Sequence, residues 1–138
     1  MDDADSPLQT LALVEFRVGD CRLAVEASSV VSLLEGPSHA SHSSVSRLLG
    51  LPETSEVARR VLVILAGGKQ RSVQVDGPVE LRDVPVNSIY PLPELILSRM
   101  AINGARALVL METVAIVVVD LSRLLVAAHS VGATQSGE

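Results

Sequence analysis

Aromatic side chains are almost absent from this chain. Among its 138 residues only 1% are aromatic and Trp does not occur, so Phe16 and Tyr90 are its large rings. Stacked nucleic acid bases and aromatic cages for cationic ligands both need several such rings. The composition therefore argues against both kinds of site, and the core has to be built from Val, Leu, Ile and Ala.

Clustered positive charge and cysteine pairs are lacking as well. The formal net charge is −5 and the Lys and Arg residues are scattered, unlike the basic patches that bind nucleic acid. Cys21 is the single cysteine, so no disulfide can form within the chain, and we expect a reducing, cytoplasmic location. The acidic start is unlike a secretory signal, and no apolar run reaches the roughly 20 residues of a membrane span. We therefore expect neither nucleic acid binding nor membrane insertion.

Alternation of apolar and polar residues predicts a mostly β chain. The runs that pair as hairpins are 11–18 with 21–25, 61–65 with 72–75, and 105–111 with 114–119. Gly19-Asp20, Gly67-Gly68 and Glu112-Thr113 stand at their turns. A further strand is predicted at 79–84. Hairpins with short connections favour small barrels over a βαβ sheet.

Helical spacing is confined to short segments. From Glu26 to Leu34 the apolar spacing suits a short helix or helical turn, with Ser28 and Ser29 near its start, and residues 46–51 suit another. Residues 95–100 fit either a helix or a loop. Asp120 is placed to cap a terminal helix over residues 121–128.

These segments predict a single domain. It extends over residues 10–128 and contains a mobile Ser- and His-rich loop at about 36–47. We expect residues 1–9 to be disordered and residues 129–138 to form a flexible tail.

Motifs that could carry chemistry are weak. His39 and His42 have helical spacing and could be combined with Cys21 as zinc ligands, but a structural zinc site needs about four ligands. A serine beside His42 lacks a third group to orient a base. Gly67-Gly68-Lys69 lacks the spacing, hydroxyl residue and helix of a phosphate loop. We predict solvated loop histidines and a hairpin turn, and no catalytic, cofactor or metal site.

The order of these weak signals resembles the CheW family of bacterial chemosensory coupling proteins. Residues 13–25 resemble the family's first hairpin, and residues 61–79 resemble its strand, glycine turn and V-D-x-V strand end. Residues 89–93 are similar to its I-x-P-x-P stretch, and residues 102–125 to its final hairpin and closing helix. The resemblance implies a CheW-like fold of two small SH3-like β-barrel subdomains with short helices. It also implies a non-catalytic adaptor.

One stretch of the family pattern is absent. After the segment that corresponds to residues 30–34, members carry an I-x-G-x-x-x-L-R-G strand and turn and a P-V-x-D-L strand. Here His39 to Ser44 lead almost directly into residues 46–52. The family commonly has a Glu near the position of Ser32 and an Arg in the L-R-G turn. This chain lacks both of these opposite charges, so neither is left without its partner. The chain therefore resembles shortened accessory (FrzB-like) members, with the first barrel reduced by about two strands.

The resemblance also implies a surface for partners. In CheW relatives a groove between the two barrels receives the helical tip of a chemoreceptor. The apolar residues that could line such a groove here are Val30, Leu33, Leu34, Val84, Val86 and Ile89. Filling of the core is the alternative role for these residues, above all for Leu33 and Val84.

The missing strands bear on the other partners. The resemblance also implies a contact with the regulatory domain of a histidine kinase. Because part of one barrel is gone, we expect this contact to be weakened or absent. A full-length CheW-like protein is a further candidate partner. The alternative function is a dimerising SH3-like regulatory module without receptor binding, because missing strands leave unpaired edges.

Overall fold

Ten strands and three short helices make up the described part of the chain. The structure is a computed structural model, and it describes residues 9–35, 43–51, 59–76, 78–99 and 102–127. The strands are β1 Thr10–Val18, β2 Cys21–Glu26, β3 Val30–Glu35, β4 Ser43–Ser44, β5 Arg59–Ala66, β6 Lys69–Asp76, β7 Glu80–Pro85, β8 Ile89–Pro91, β9 Ala105–Met111 and β10 Val114–Val119. The helices are α1 Val45–Leu49, α2 Glu94–Leu97 and α3, residues 121–127. Two 3₁₀ helices of three residues each are named the first crossover, Ala27–Ser29, and the second crossover, Val86–Ser88.

The three predicted hairpins are confirmed. β1 and β2 pair antiparallel around Gly19, whose φ of 59° is readily available to glycine. β5 pairs with β6, and β9 with β10, in the same antiparallel manner. The predicted strand before the proline-containing segment is also present, as β7.

The helix or helical turn predicted from Glu26 to Leu34 is present at its start as the first crossover, but over residues 30–34 the prediction is wrong, because β3 occupies this segment. β3 pairs antiparallel with β5, and its register shifts between Val30 and Ser32. Such a bulge adds one residue to a strand and breaks the period of two in its side chains. The interrupted alternation is what made this strand look helical in the sequence.

The other helical predictions are confirmed. α1 ends at Gly50, which adopts the left-handed φ of 76° that stops a helix. The carboxylate of Asp120 accepts a hydrogen bond from the backbone N–H of Arg123 at 3.0 Å and so caps α3. None of the helices among the described residues is long and apolar enough to cross a membrane.

The segment predicted as a mobile loop is partly regular structure. Residues 36–42 lie outside the described residues, but Ser43–Ser44 pairs in parallel with β6. α1 then begins at Val45. The predicted terminal segments, apart from Gln9, also lie outside the described residues.

The larger sheet curls into a barrel shape. Its strand order is β7-β1-β2-β10-β9-β8, with β7 and β8 at its edges. These two strands are joined by the second crossover, and a connection of this length reaches at most about 14 Å. The end of β7 must therefore lie near the start of β8. Inside the barrel lies a cluster named here the barrel core, which consists of Leu13, Ala24, Val84, Val109, Ile116 and Val118.

The second sheet has the order β3-β5-β6-β4 and packs on the outside of the barrel. The buried residues between them form the shared core: Val14, Phe16, Val18, Leu23, Val25, Val45, Leu49, Leu62, Ile64, Ala66, Val73, Val75, Val119, Leu121 and Leu125. β1 is thus buried on both faces, with Leu13 inside the barrel and Phe16 in the shared core. Leu121 and Leu125 show that α3 fills the same core as the four-stranded sheet.

Candidate partner-binding surface

The two halves of the predicted site flank the two crossovers. The residues that precede the crossovers, Glu26 and Pro85, have φ/ψ of −65°/132° and −63°/136°. The residues that follow, Val30 and Ile89, have −94°/122° and −102°/123°. The chain therefore bends in nearly the same way at both places and emerges as an extended strand.

The half of the site on β3 presents apolar side chains to solvent. Val30 is half-buried and packs against the shared core. Leu33 and Leu34 are 38% and 53% exposed. In the register Leu33 stands opposite the fully buried Leu62, so it lies on the core side of the sheet and is still accessible. The core-filling alternative does not describe Leu33 or Leu34.

The half of the site on β7, the second crossover and β8 is more buried. Val84 is 0% exposed and belongs to the barrel core, so it cannot line an accessible groove. Val86 is 44% exposed. Ile89 is half-buried and packs against the barrel core. The structure thus places the six residues on different sheets and leaves Leu33, Leu34 and Val86 as the members with most accessible area, while partner binding by them stays a prediction.

A cleft that the sequence did not predict opens at one end of the barrel. It has a volume of about 370 Å³, and Ile89 is the one predicted site residue that lines it. The other lining residues are Leu11, Glu26, Ser28, Ser29, Pro91, Arg106, Ala107, Val118, Val119, Asp120, Leu121 and Ser122. Arg106 Nη1 lies 3.6 Å from Asp120 Oδ2, and Ser29 Oγ donates to the Glu26 carbonyl at 2.8 Å. Because the lining comes from segments far apart in the chain, no local motif marks the cleft.

A buried ion cluster lies further along the barrel interior. Glu15 is 5% exposed, although it carries a carboxylate. Its Oε2 accepts a hydrogen bond from Arg22 Nε at 2.6 Å, and its Oε1 accepts one from Arg82 Nε at 2.7 Å. The register explains the geometry, because β1 lies between β2 and β7 and each arginine is a diagonal neighbour of Glu15.

The ion cluster sets the protonation of Glu15. Burial alone would raise the pKa of this carboxyl group, but the hydrogen bonds and charges of Arg22 and Arg82 outweigh it and lower the pKa below 4.5. The hydrogen bond to Glu15 correspondingly raises the pKa of Arg22. Glu15 is not among the residues that line the cleft. Its carboxylate is fully engaged by the two guanidinium groups, and the arrangement serves to fix β1, β2 and β7 together.

The weak chemical motifs of the sequence have the following positions. Gly67 and Gly68 form the turn between β5 and β6, with φ of 63° and 79°, which confirms the predicted hairpin turn. His39 and His42 lie outside the described residues, and Cys21 is half-buried. Within the described ranges, no three His, Cys, Asp or Glu side chains are grouped so that they could hold a metal ion.

The fold is similar to that of a known scaffolding protein. No protein-family model matches the chain, and no curated protein matches it. Among solved structures, the crystal structure of scaffolding protein TtCheW from Thermoanaerobacter tengcongensis superposes with a TM-score of 0.68. The sequence identity is 14%, and the match covers 84% of this chain and 92% of TtCheW. The predicted fold class, mostly β and CheW-like, is confirmed.

Proposed function

We propose that this protein is a non-catalytic adaptor of a bacterial chemosensory array, acting in the cytoplasm. The observation that carries the proposal is the similarity of its fold to a CheW scaffolding protein over 84% of the chain. The ordered sequence resemblance from about residue 11 to residue 125 supports it independently. Such an adaptor works by binding other proteins, so its function resides in exposed surfaces.

The proposed receptor surface combines exposed and half-buried apolar residues. Leu33, Leu34 and Val86 supply accessible area, and Val30 and Ile89 contribute partly buried area near the crossovers. Val84 has a supporting role, because it packs beneath the surface in the barrel core. A helix from a chemoreceptor tip would lay its apolar face on such a surface.

The receptor proposal is tested by titrating the full chain with a helical signalling fragment of a chemoreceptor in a calorimeter. Leu34→Lys places a charge within the proposed contact and should weaken binding about tenfold or more. Leu110→Lys is the matched control, because Leu110 is 48% exposed and lies on β9, outside the proposed surface. Absence of binding by the wild-type protein, or equal loss in both variants, would contradict the proposal.

The proposed kinase contact is weak or absent. It is motivated by the short connection of residues 36–42 between β3 and β4, where the family pattern carries further strands. A full-length CheW-like protein beside this one would then supply the kinase contact. Titration of the kinase regulatory domain should show an affinity at least about tenfold below that of a full-length coupler. Equal affinities would refute this part of the proposal.

A dimerising regulatory module is the second candidate function. It is favoured by the edge position of β3 in its sheet, with Leu34 53% exposed. Co-sedimentation with receptor-containing membranes separates the two functions, because an adaptor sediments with them and a receptor-independent module stays in the supernatant.

A further inference from the structure

β3 is an edge strand of the four-stranded sheet. Among the described residues it pairs with β5 on one side, and no strand pairs with its other side. Residues 31–34 are all exposed, and three of the four are apolar. An exposed strand edge with apolar side chains is a template for another strand, because its backbone N–H and C=O groups lack partners in a sheet.

We propose that β3 pairs antiparallel with β3 of a second copy of this chain. The two four-stranded sheets would then join into one continuous sheet across a twofold axis at Leu33. This interface buries Leu33 and Leu34, which also belong to the proposed receptor surface, so a β3-paired dimer and a receptor helix would compete for β3. The dimer gives the second candidate function a defined surface.

The position of the axis follows from the side-chain faces of β3. Residues that stand directly opposite in an antiparallel pair share one face of the sheet. Leu33 lies on the face of the buried Leu62, whereas Ser32 and Leu34 lie on the other face. With the axis at Leu33, this residue meets Leu33 of the second copy, and Ser32 meets Leu34 of the second copy. Each face therefore continues across the interface.

This register also extends the shared core. Leu33 is 38% exposed although it stands opposite the fully buried Leu62. The leucine of the second copy would cover that exposed area from the open side. The pairing thus removes apolar surface from water and satisfies both bare backbone edges by the same operation.

Charge does not oppose association at this edge. The whole chain carries a formal net charge of −5, so random contacts between two copies are repulsive. Residues 30–34 are uncharged, however, and the Glu35 backbone stands opposite Arg60 in the β3–β5 register. In the proposed register Glu35 faces Val31 of the second copy. No like charges are therefore opposed across the new strand pair.

Self-association is tested by light scattering of the full chain over a range of concentrations. The mass should rise from the 14.5 kDa of one chain towards twice that value, and Leu33→Lys should hold it at one chain. Leu110→Lys, a charge on the exposed face of β9, should leave the dimer intact, with thermal melts confirming that both variants fold. If the wild-type protein stays monomeric at about 0.5 mM, the dissociation constant of any dimer lies above that concentration, and the proposal is overturned. That result would mean that the edge of β3 is covered within one chain.

Cysteine cross-linking tests the register. In a Cys21→Ser background, Leu33→Cys should form a disulfide-linked dimer under mild oxidation, because opposed Cβ atoms lie about 4.5–5.5 Å apart. Ser32→Cys alone and Leu34→Cys alone should cross-link poorly, whereas a mixture of the two should cross-link well. A protein that dimerises without cross-linking through Leu33→Cys uses another surface, and that result also overturns the proposal. Receptor titration of the same variants remains a separate measurement.

Discussion

The barrel and the four-stranded sheet both receive their strands through a three-residue crossover, yet the outcome differs. The second crossover joins β7 to β8, the two edge strands of the same sheet, and brings them together at one end. The first crossover carries the chain from β2 in the barrel to β3 in the other sheet. Among the side chains that face a core, Val84 on β7 is 0% exposed, while Leu33 on β3 is 38% exposed. The same local bend thus leads to a buried side chain in one place and a partly exposed one in the other.

The difference shows that connectivity, and not local backbone geometry, decides which apolar strand is covered. The flanking φ and ψ values of the two crossovers agree within about ten degrees. What differs is the sheet that the next strand joins. The four-stranded sheet compensates through the shared core, where Leu121 and Leu125 of α3 pack against it. Its stability therefore depends on a segment that follows the last strand of the barrel.

The largest expected effect comes from truncating a leucine in each region. Leu13 is 0% exposed in the barrel core, so Leu13→Ala should lower the free energy of unfolding by about 3 kcal/mol. Leu34→Ala at the open edge should lower it by less than about 1 kcal/mol in the monomer, because the side chain is already half in water. Urea unfolding at low protein concentration measures both changes. Similar losses for the two variants would mean that the β3 edge is covered in solution.

The elements with regular patterns could be predicted from the sequence. β9 and β10 occur at the predicted residues 105–111 and 114–119, because long alternating runs flank a two-residue turn. Gly50 marked the end of α1 for a similar reason, since glycine readily takes the left-handed conformation observed there. In both cases the information lies within a few neighbouring residues.

The features that depend on distant residues could not be predicted. The burial of Glu15 could not be predicted, because its partner Arg82 is 67 residues away along the chain. β3 was misassigned because a bulge, which depends on pairing with β5, interrupts its alternation. Leu33 and Val84 differ in exposure, which depends on the sheet that each strand joins. The predicted site residues could therefore be named from the sequence, but their accessibility could not.

A smaller effect is expected from the ion cluster that ties β1 to both of its neighbours in the barrel. Glu15→Gln keeps the shape of the side chain but removes its charge, so two charge-assisted hydrogen bonds become ordinary ones. We expect a loss of about 1–2 kcal/mol in the free energy of unfolding. Glu80→Gln is the matched control, because Glu80 is 64% exposed and lies 3.7 Å from Arg82, and its loss should be within about 0.5 kcal/mol. Equal effects would show that burial of the Glu15 pair contributes nothing.

The same pair has a defined pH dependence. Because the folded protein lowers the pKa of Glu15, the unfolded chain takes up a proton first as the pH falls below about 4.5. The contribution of Glu15 is complete above that pH and is lost as the pH falls through the lowered folded pKa. The difference in unfolding free energy between wild type and Glu15→Gln should therefore shrink from pH 7 towards pH 3. A constant difference across this range would contradict the assignment of the shift to Glu15.

The smallest expected effect concerns α3, the element through which the barrel end of the chain supports the four-stranded sheet. Asp120→Ala removes the acceptor for the Arg123 N–H and should cost about 1 kcal/mol. Asp120→Asn keeps a capping oxygen and loses the 3.6 Å contact with Arg106, which is 61% exposed, so it should be nearly neutral. Hydrogen exchange should show faster amide exchange in α3 for the alanine variant. The amides of β5 should also exchange faster, because Ser122 Oγ of α3 donates to the Leu65 carbonyl of β5 at 3.1 Å. Unchanged exchange in β5 would mean that the open sheet holds its structure without the end of α3.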